Sequence, residues 1–154
     1  MMVARPSEHH ATIIKLNPNM VIFHGEVEED LVPIFEKLKS ETMIKPGIAL
    51  LRSTVPQTVE PAILAAEHVL VFSGSLGEYG GKASMMQLEK IRLIKAINSN
   101  VEFGWDGGAN LSNVFSLSQG GVDVINVGGA IANATDPAEV YKAMCTEISR
   151  KGTI

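Results

Sequence analysis

One cysteine, Cys145, is all that the 154-residue chain contains. A single thiol forms no internal disulfide, so a reducing compartment is expected. There is no run of the ~18 apolar residues that a membrane helix requires, and the opening "MMVARPSEHH" lacks the apolar centre of a signal peptide. Basic residues do not cluster and the formal net charge is −4, which argues against nucleic acid as the main partner. These absences predict a soluble, cytoplasmic protein whose partners are neither nucleic acid nor membrane. What is present suffices for a core. The chain is 45% hydrophobic and 19% charged, outside the composition of disordered segments, and its length predicts a single domain over residues 1–154.

Five short apolar runs read as buried strands: "NMVIFHG" from 19, "KPGIALL" from 45, "EHVLVFSG" from 67, "VEFGW" from 101 and "VDVINVGG" from 122. Their apolar character is nearly continuous, which suits parallel strands covered on both faces. Helical patterns separate them. Leu31, Ile34, Phe35 and Leu38 follow i, i+3, i+4, i+7 spacing behind Glu28, Glu29 and Asp30, whose charge favours a helix start; Pro33 fits only a first turn. "ASMMQLEKIRLIKAINSN" predicts a longer helix with Leu88, Ile91 and Ile94 on one side and Met85-Met86 as packing residues. In "TDPAEVYKAMCTEISRKG" Asp136 is the N-cap, Pro137 takes the first helical position, Glu139 completes a capping box, and Gly152 is the stop. Val140, Met144 and Ile148 form the buried stripe, with Cys145 near it. "MMV" reads as the remnant of one more strand, and "SEHHATIIKLNP" as one more helix with Ser7 as N-cap.

Strand–helix alternation therefore gives an α/β protein of about six parallel βα units. Two architectures fit, an open doubly wound sheet and a piece of a (βα)8 barrel. Eight units need about 200 residues or more, so a barrel here is a shortened one.

In either fold, function resides on the loops at the carboxyl ends of the strands. These are "HGEVEED", "RSTVPQT", "SGSLGEYGGKA", "DGGANLS" and "GGAIANATD". Three carry Gly-Gly pairs, where backbone N–H groups can approach an anion that a Cβ would hold off; the competing reading is three tight turns. Asp106, at a strand tip before Gly107-Gly108, is either a turn residue or a functional carboxylate. His24 and Glu26 end another strand and are candidates for hydrogen-bonded structural roles or for acid–base work. His9 and His10 read as surface residues, and Cys145 has no evident base beside it.

The stretches "MMVARP", "VIFHGEVEE", "VLVFSGSLGEYGGKA", "LEKIRLIKA", "DGGAN" and "VDVINVGGAIANATDPAE" together give a chain that resembles ribulose-phosphate 3-epimerase and its relatives from Met1 to Arg150. The most specific parts are the glycine loop at 77–82, Asp106-Gly107-Gly108, and Gly128-Gly129-Ala130-Ile131 ahead of a D-P-A-E helix start. The resemblance implies a TIM-barrel fold and an isomerase of carbohydrate metabolism that moves a proton at a sugar-phosphate carbon through an enediolate, with a divalent metal such as zinc. It implies phosphate resting on Gly80, Gly81, Gly107, Gly108, Gly128 and Gly129, and Asp106 as acid/base and metal ligand.

Aligned this way, "MMV" is the tail of the family's third strand and the chain runs through the eighth. The catalytic aspartate and metal-binding histidine of the family's second strand, and the histidine opening its third, have no counterpart, so the implied metal site is incomplete. "LGEYGGK" carries an extra residue against the usual P-G-F-G-G-Q, and "RSTVP" replaces N-P-x-T-P. Missing strands leave two free edges and an apolar interior face, which predicts completion by a second copy as a C2 homodimer. Three readings follow: an epimerase acting on a sugar phosphate, a non-catalytic phosphate or sugar-phosphate binding protein, and a structural fragment whose glycines serve folding alone.

Overall fold

The computed structural model describes residues 1–74, 77 and 81–150. In chain order the elements are α1 (His10–Leu16), β1 (Met20–His24), α2 (Leu31–Glu41), β2 (Lys45–Leu50), α3 (Glu60–Ala65) and β3 (His68–Phe72). They continue as α4 (Glu89–Ile97), β4 (Glu102–Asp106), α5 (Val114–Gln119), β5 (Val124–Asn126), α6 (Gly129–Ala132) and α7 (Pro137–Ile148). All five strands are parallel, and each lies beside its predecessor in the order β1-β2-β3-β4-β5. A doubly wound sheet reverses its strand order at a switch point. Here the order never reverses, so the sheet winds in one direction, as a barrel wall does. The architecture is a partial (βα)8 barrel of five strands.

The sixth expected strand is not formed. Met1–Val3 has no ladder partner, although the Met1 amino group donates to the Ile22 carbonyl of β1. The first helix also differs from expectation. It begins at His10 after a 3-10 turn at Pro6–His9, and Ser7 is not its cap. Ser7 instead donates its backbone N–H (2.8 Å) and hydroxyl (2.6 Å) to Glu29. That long-range pairing outcompetes the local cap. Asn17, at φ +45°, ends the helix in the left-handed region that asparagine tolerates.

The core lies between the sheet's outer face and the helices. Val21 and Phe23, Ile48 and Leu50, Val69 and Val71, Phe103 and Trp105 alternate onto this face and pack with Leu31, Phe35, Leu38, Ile63, Ile91, Ile94 and Leu117. Phe23 stacks on Phe35 of α2 with centroids 6.4 Å apart. Each such side chain, fully buried, stabilises the fold by about 1.5–3 kcal/mol. Asp30 caps α2 by accepting the Val32 N–H at 2.9 Å, and Asp136 caps α7 by accepting the Glu139 N–H at 2.9 Å.

The helix over 83–100 is shorter than its pattern predicts. Met85–Leu88 is a 3-10 turn, and the α-helix occupies Glu89–Ile97. Ile91 and Ile94 are buried as expected, whereas Met86 faces solvent. On α7 only Met144 of the expected stripe is fully buried, and Cys145 is exposed. The stop assigned to Gly152 lies outside the described residues.

The inner face is not the open apolar surface that missing strands imply. Residues paired in register place Ile22, Gly47, Ala49, His68, Leu70 and Gly104 on this side. At Gly104 a Cβ would stand 2.4 Å from His68 Nε2 and 2.7 Å from Leu70 Cδ1. The missing side chain lets those two groups fold over the sheet, and both end up buried. His68 then finds a partner in Glu102, with Nδ1 2.7 Å from Oε2. Both sheet edges, β1 and β5, lack a neighbouring strand among the described residues.

Candidate functional site

Parallel strands in unbroken order carry all their carboxyl ends to one rim. Asp106 is the last residue of β4, in register with Phe72 of β3 on one side and Asn126 of β5 on the other. Around it opens a cleft of about 640 Å³ lined by Gly74, Gly77, Gly81, Gly107, Gly108, Gly128 and Gly129, together with Asp106, Asn126 and Asn133. Five of the six glycines singled out in the sequence therefore meet at one cleft with Asp106, although they come from three separate loops. Gly80 lies outside the described residues.

The Gly107-Gly108 pair has a packing reason of its own. Both adopt positive φ, +103° and +70°, a region costly for side chains with a Cβ. A Cβ on Gly107 would sit 2.2 Å from Gly74 N, and one on Gly108 would sit 2.1 Å from Ala83 N. These glycines let the loops after β3 and β4 touch backbone to backbone. Their carbonyls turn into the protein. Gly107 O accepts from Trp105 Nε1 at 3.0 Å, and Gly108 O accepts from Asn110 Nδ2 at 3.1 Å and Asn113 Nδ2 at 3.0 Å. Across the cleft, Gly128 O accepts the Ile131 and Ala132 N–H groups. The N–H groups of Gly107, Gly108, Gly128 and Gly129 donate to no described residue.

Side chains that the sequence reading passed over fix this rim. Arg52, second residue of the loop after β2, donates from Nε to Ser73 O (2.6 Å) and from Nη2 to Lys82 O (2.9 Å), bracketing the loop after β3. Ser73, fully buried, accepts the Ser84 N–H on its hydroxyl at 2.6 Å. Buried Lys90 donates to the carbonyls of Leu51 and Arg52. Its burial holds the ammonium below the ordinary lysine range, against the opposing pull of the Glu26 carboxylate. Nothing in the local pattern of "RSTVPQT" or "LEKIRLIKA" marks these roles, because each depends on a carbonyl about 20 to 40 positions away.

His24 and Glu26 are not brought into the cleft. The His24 ring stands edge-on to Phe72, centroids 6.2 Å apart, and Phe72 lines the cleft while His24 does not. Glu26 accepts from His24 Nδ1 (3.3 Å), Leu51 N (3.0 Å) and the Thr54 hydroxyl, so it braces the loop after β2. Asp106 is then the one titratable side chain among the described lining residues. No three His, Cys, Asp or Glu side chains converge anywhere among the described residues. A lone carboxylate does not fit a divalent ion, which takes four or more nitrogen, sulfur or oxygen ligands.

Comparisons with known proteins bear on the family and the fold. The cytoplasmic isoform of ribulose-phosphate 3-epimerase from Oryza sativa subsp. japonica is 28% identical over 148 residues, covering 94% of this chain and 64% of that protein. The ribulose-phosphate 3-epimerase of Helicobacter pylori strain J99 is 32% identical over 140 residues, covering 88% of this chain and 64% of that protein. The chain thus spans just under two thirds of the length of these relatives. Among solved structures, 3-hexulose-6-phosphate synthase from Salmonella typhimurium superposes with a TM-score of 0.74 over 95% of this chain and 69% of its own, at 18% identity, which bears on the fold alone. The sequence model of the ribulose-phosphate 3 epimerase family matches residues 1–132, and the chain belongs to that family.

Proposed function

We propose that the cleft binds a sugar phosphate, with the phosphate held by the backbone amides of the glycine loops and the sugar carbons beside Asp106. The observation that carries this reading is the convergence of Gly81, Gly107, Gly108, Gly128 and Gly129 on one cleft around Asp106. Backbone N–H groups suit a doubly charged oxyanion because they offer donors without a Cβ in the way. The family's relatives are named for ribulose phosphate, which makes ribulose 5-phosphate the ligand to test.

Asp106 limits the chemistry. As a carboxylate it can take a proton from a carbon next to the sugar's carbonyl, the electron pair passing to the carbonyl oxygen to give an enediolate, and return a proton to the same face. That cycle regenerates the starting sugar and exchanges its carbon-bound hydrogen with solvent. Inverting the carbon requires a second acid on the opposite face, and none lines the cleft among the described residues. Sugar-phosphate binding with one-face proton exchange is therefore the reading that the described residues support. Full epimerisation requires a second acid beyond those of the described lining, and we propose a C2 homodimer across the free β1 and β5 edges as the assembly in which to look for it.

Inorganic phosphate and ribulose 5-phosphate should each raise the unfolding midpoint, by about 2.7 kcal/mol of added stability when the ligand stands at 100 times its Kd. In deuterium oxide, ribulose 5-phosphate incubated with the protein should incorporate deuterium next to the carbonyl, and Asp106→Asn should abolish incorporation while leaving phosphate protection intact. Incorporation that survives Asp106→Asn would remove Asp106 from the chemistry.

A further inference from the structure

Of the polar side chains that line the cleft, Asn110 is engaged by the protein itself: Nδ2 donates to Gly108 O, and Oδ1 accepts from the N–H and hydroxyl of Ser112 at 2.9 and 2.6 Å. Asn126 is different. It ends β5 in register with Asp106, lines the same cleft, and its amide makes no hydrogen bond to a described residue. The Asp106 carboxylate likewise has no described partner. Adjacent parallel strands run about 4.8 Å apart, so a carboxylate and a carboxamide stand side by side at the point where the cleft leaves the glycine loops.

We infer that Asn126 and Asp106 together read the hydroxyl groups of a polyol attached to the phosphate, with Asn126 as a specificity-determining residue. This rests on the proposed phosphate site. The chemistry of the pair supports it. An ionised carboxylate only accepts hydrogen bonds, whereas a carboxamide offers two donors and an acceptor. A hydroxyl can donate to Asp106 and accept from Asn126, or two neighbouring hydroxyls can take one partner each. Inorganic phosphate, which has no carbon-borne hydroxyl, gains nothing from such a pair once it rests on the amides. The amide also adds donors without adding negative charge, so Asn126 does not raise the electrostatic cost of bringing an anion beside Asp106. The strand supports the role: β5 is three residues long, and Asn126 is exposed on it, so its side chain does not serve packing.

Asn126→Ala tests the inference by calorimetric titration of the intact protein with inorganic phosphate and with ribulose 5-phosphate. The expected result is about a tenfold loss of affinity for ribulose 5-phosphate, from the removal of one or two hydrogen bonds to its hydroxyls, with phosphate affinity unchanged. Equal losses for both ligands, or no loss for either, overturn the inference and leave the phosphate site standing. If wild-type protein binds neither ligand, the phosphate reading fails and this inference with it. Should Asn126→Ala not fold, Asn126→Gln carries the test, since it keeps the amide but displaces it by one methylene. It should show the same selective loss, and sugar-phosphate affinity equal to wild type overturns the inference.

Discussion

Two glycines on the rim share a positive φ but not a surrounding, which allows strain and close approach to be separated. Gly108 has φ +70° and Gly77 has φ +80°. An alanine at either position takes on the left-handed penalty of about 1–2 kcal/mol, and both lose the same unfolded-chain freedom, so those contributions cancel in the difference. The Cβ contacts do not cancel. At Gly77 no described residue lies within 4 Å of the new carbon, whereas at Gly108 it would be 2.1 Å from Ala83 N, 2.5 Å from Gly81 O and 2.5 Å from the Lys82 carbonyl carbon. Those atoms are backbone, so they yield only if the loop after β3 moves, at a further cost of about 1–3 kcal/mol. Urea unfolding of both variants should therefore show Gly77→Ala mildly destabilised and Gly108→Ala destabilised by that additional amount, with the denaturant slope unchanged. Equal destabilisation would refute the argument that backbone contact between the two loops is what requires glycine at 108.

Other outcomes follow from the same structure. Lys90 is protonated less readily in the folded protein than in the unfolded chain, so the unfolded chain holds more protons between the lowered folded value and the ordinary 10.5. Stability should rise with pH across that alkaline window, and Lys90→Met should remove this part of the slope in urea melts at stepped pH. A wild-type slope retained in the variant would assign it to another group. Light scattering at micromolar concentration should return twice the chain mass for the proposed homodimer, and a monomer would rule that assembly out.

The outer half of the fold was legible in the sequence. Near-continuous apolar runs marked the five strands, of which β2 and β3 are buried on both faces while β5 is largely exposed, and Asp30 and Asp136 marked helix starts because a cap is a local interaction. The inner half was not. Within a run such as "EHVLVFSG" the residues of the two faces look alike, and only the register reveals that His68 and Leu70 fold over Gly104. Ser7 misled for a related reason, since its hydroxyl meets a carboxylate 22 residues away.

At the site, Asp106 and the glycine pairs stood out because they interrupt apolar strands. The structure gives Gly107 and Gly108 a packing role that their spacing alone does not disclose. Arg52, Lys90 and Asn126 were passed over. An arginine in a polar loop and a lysine on a charged helix resemble solvated residues until their carbonyl partners are known, and an asparagine at the end of an apolar strand resembles a turn residue until its neighbour is seen to be Asp106.

Whether the paired-glycine loops hold an oxyanion is tested most directly by titrating inorganic phosphate into isotope-labelled protein and following its backbone amide resonances. The expected result is saturable shifts concentrated at Gly107, Gly108, Gly128 and Gly129, with the amino-terminal ends of the strands unmoved. Shifts scattered over the surface without saturation, or confined to the opposite end of the sheet around Lys45 and Asn100, would contradict the account.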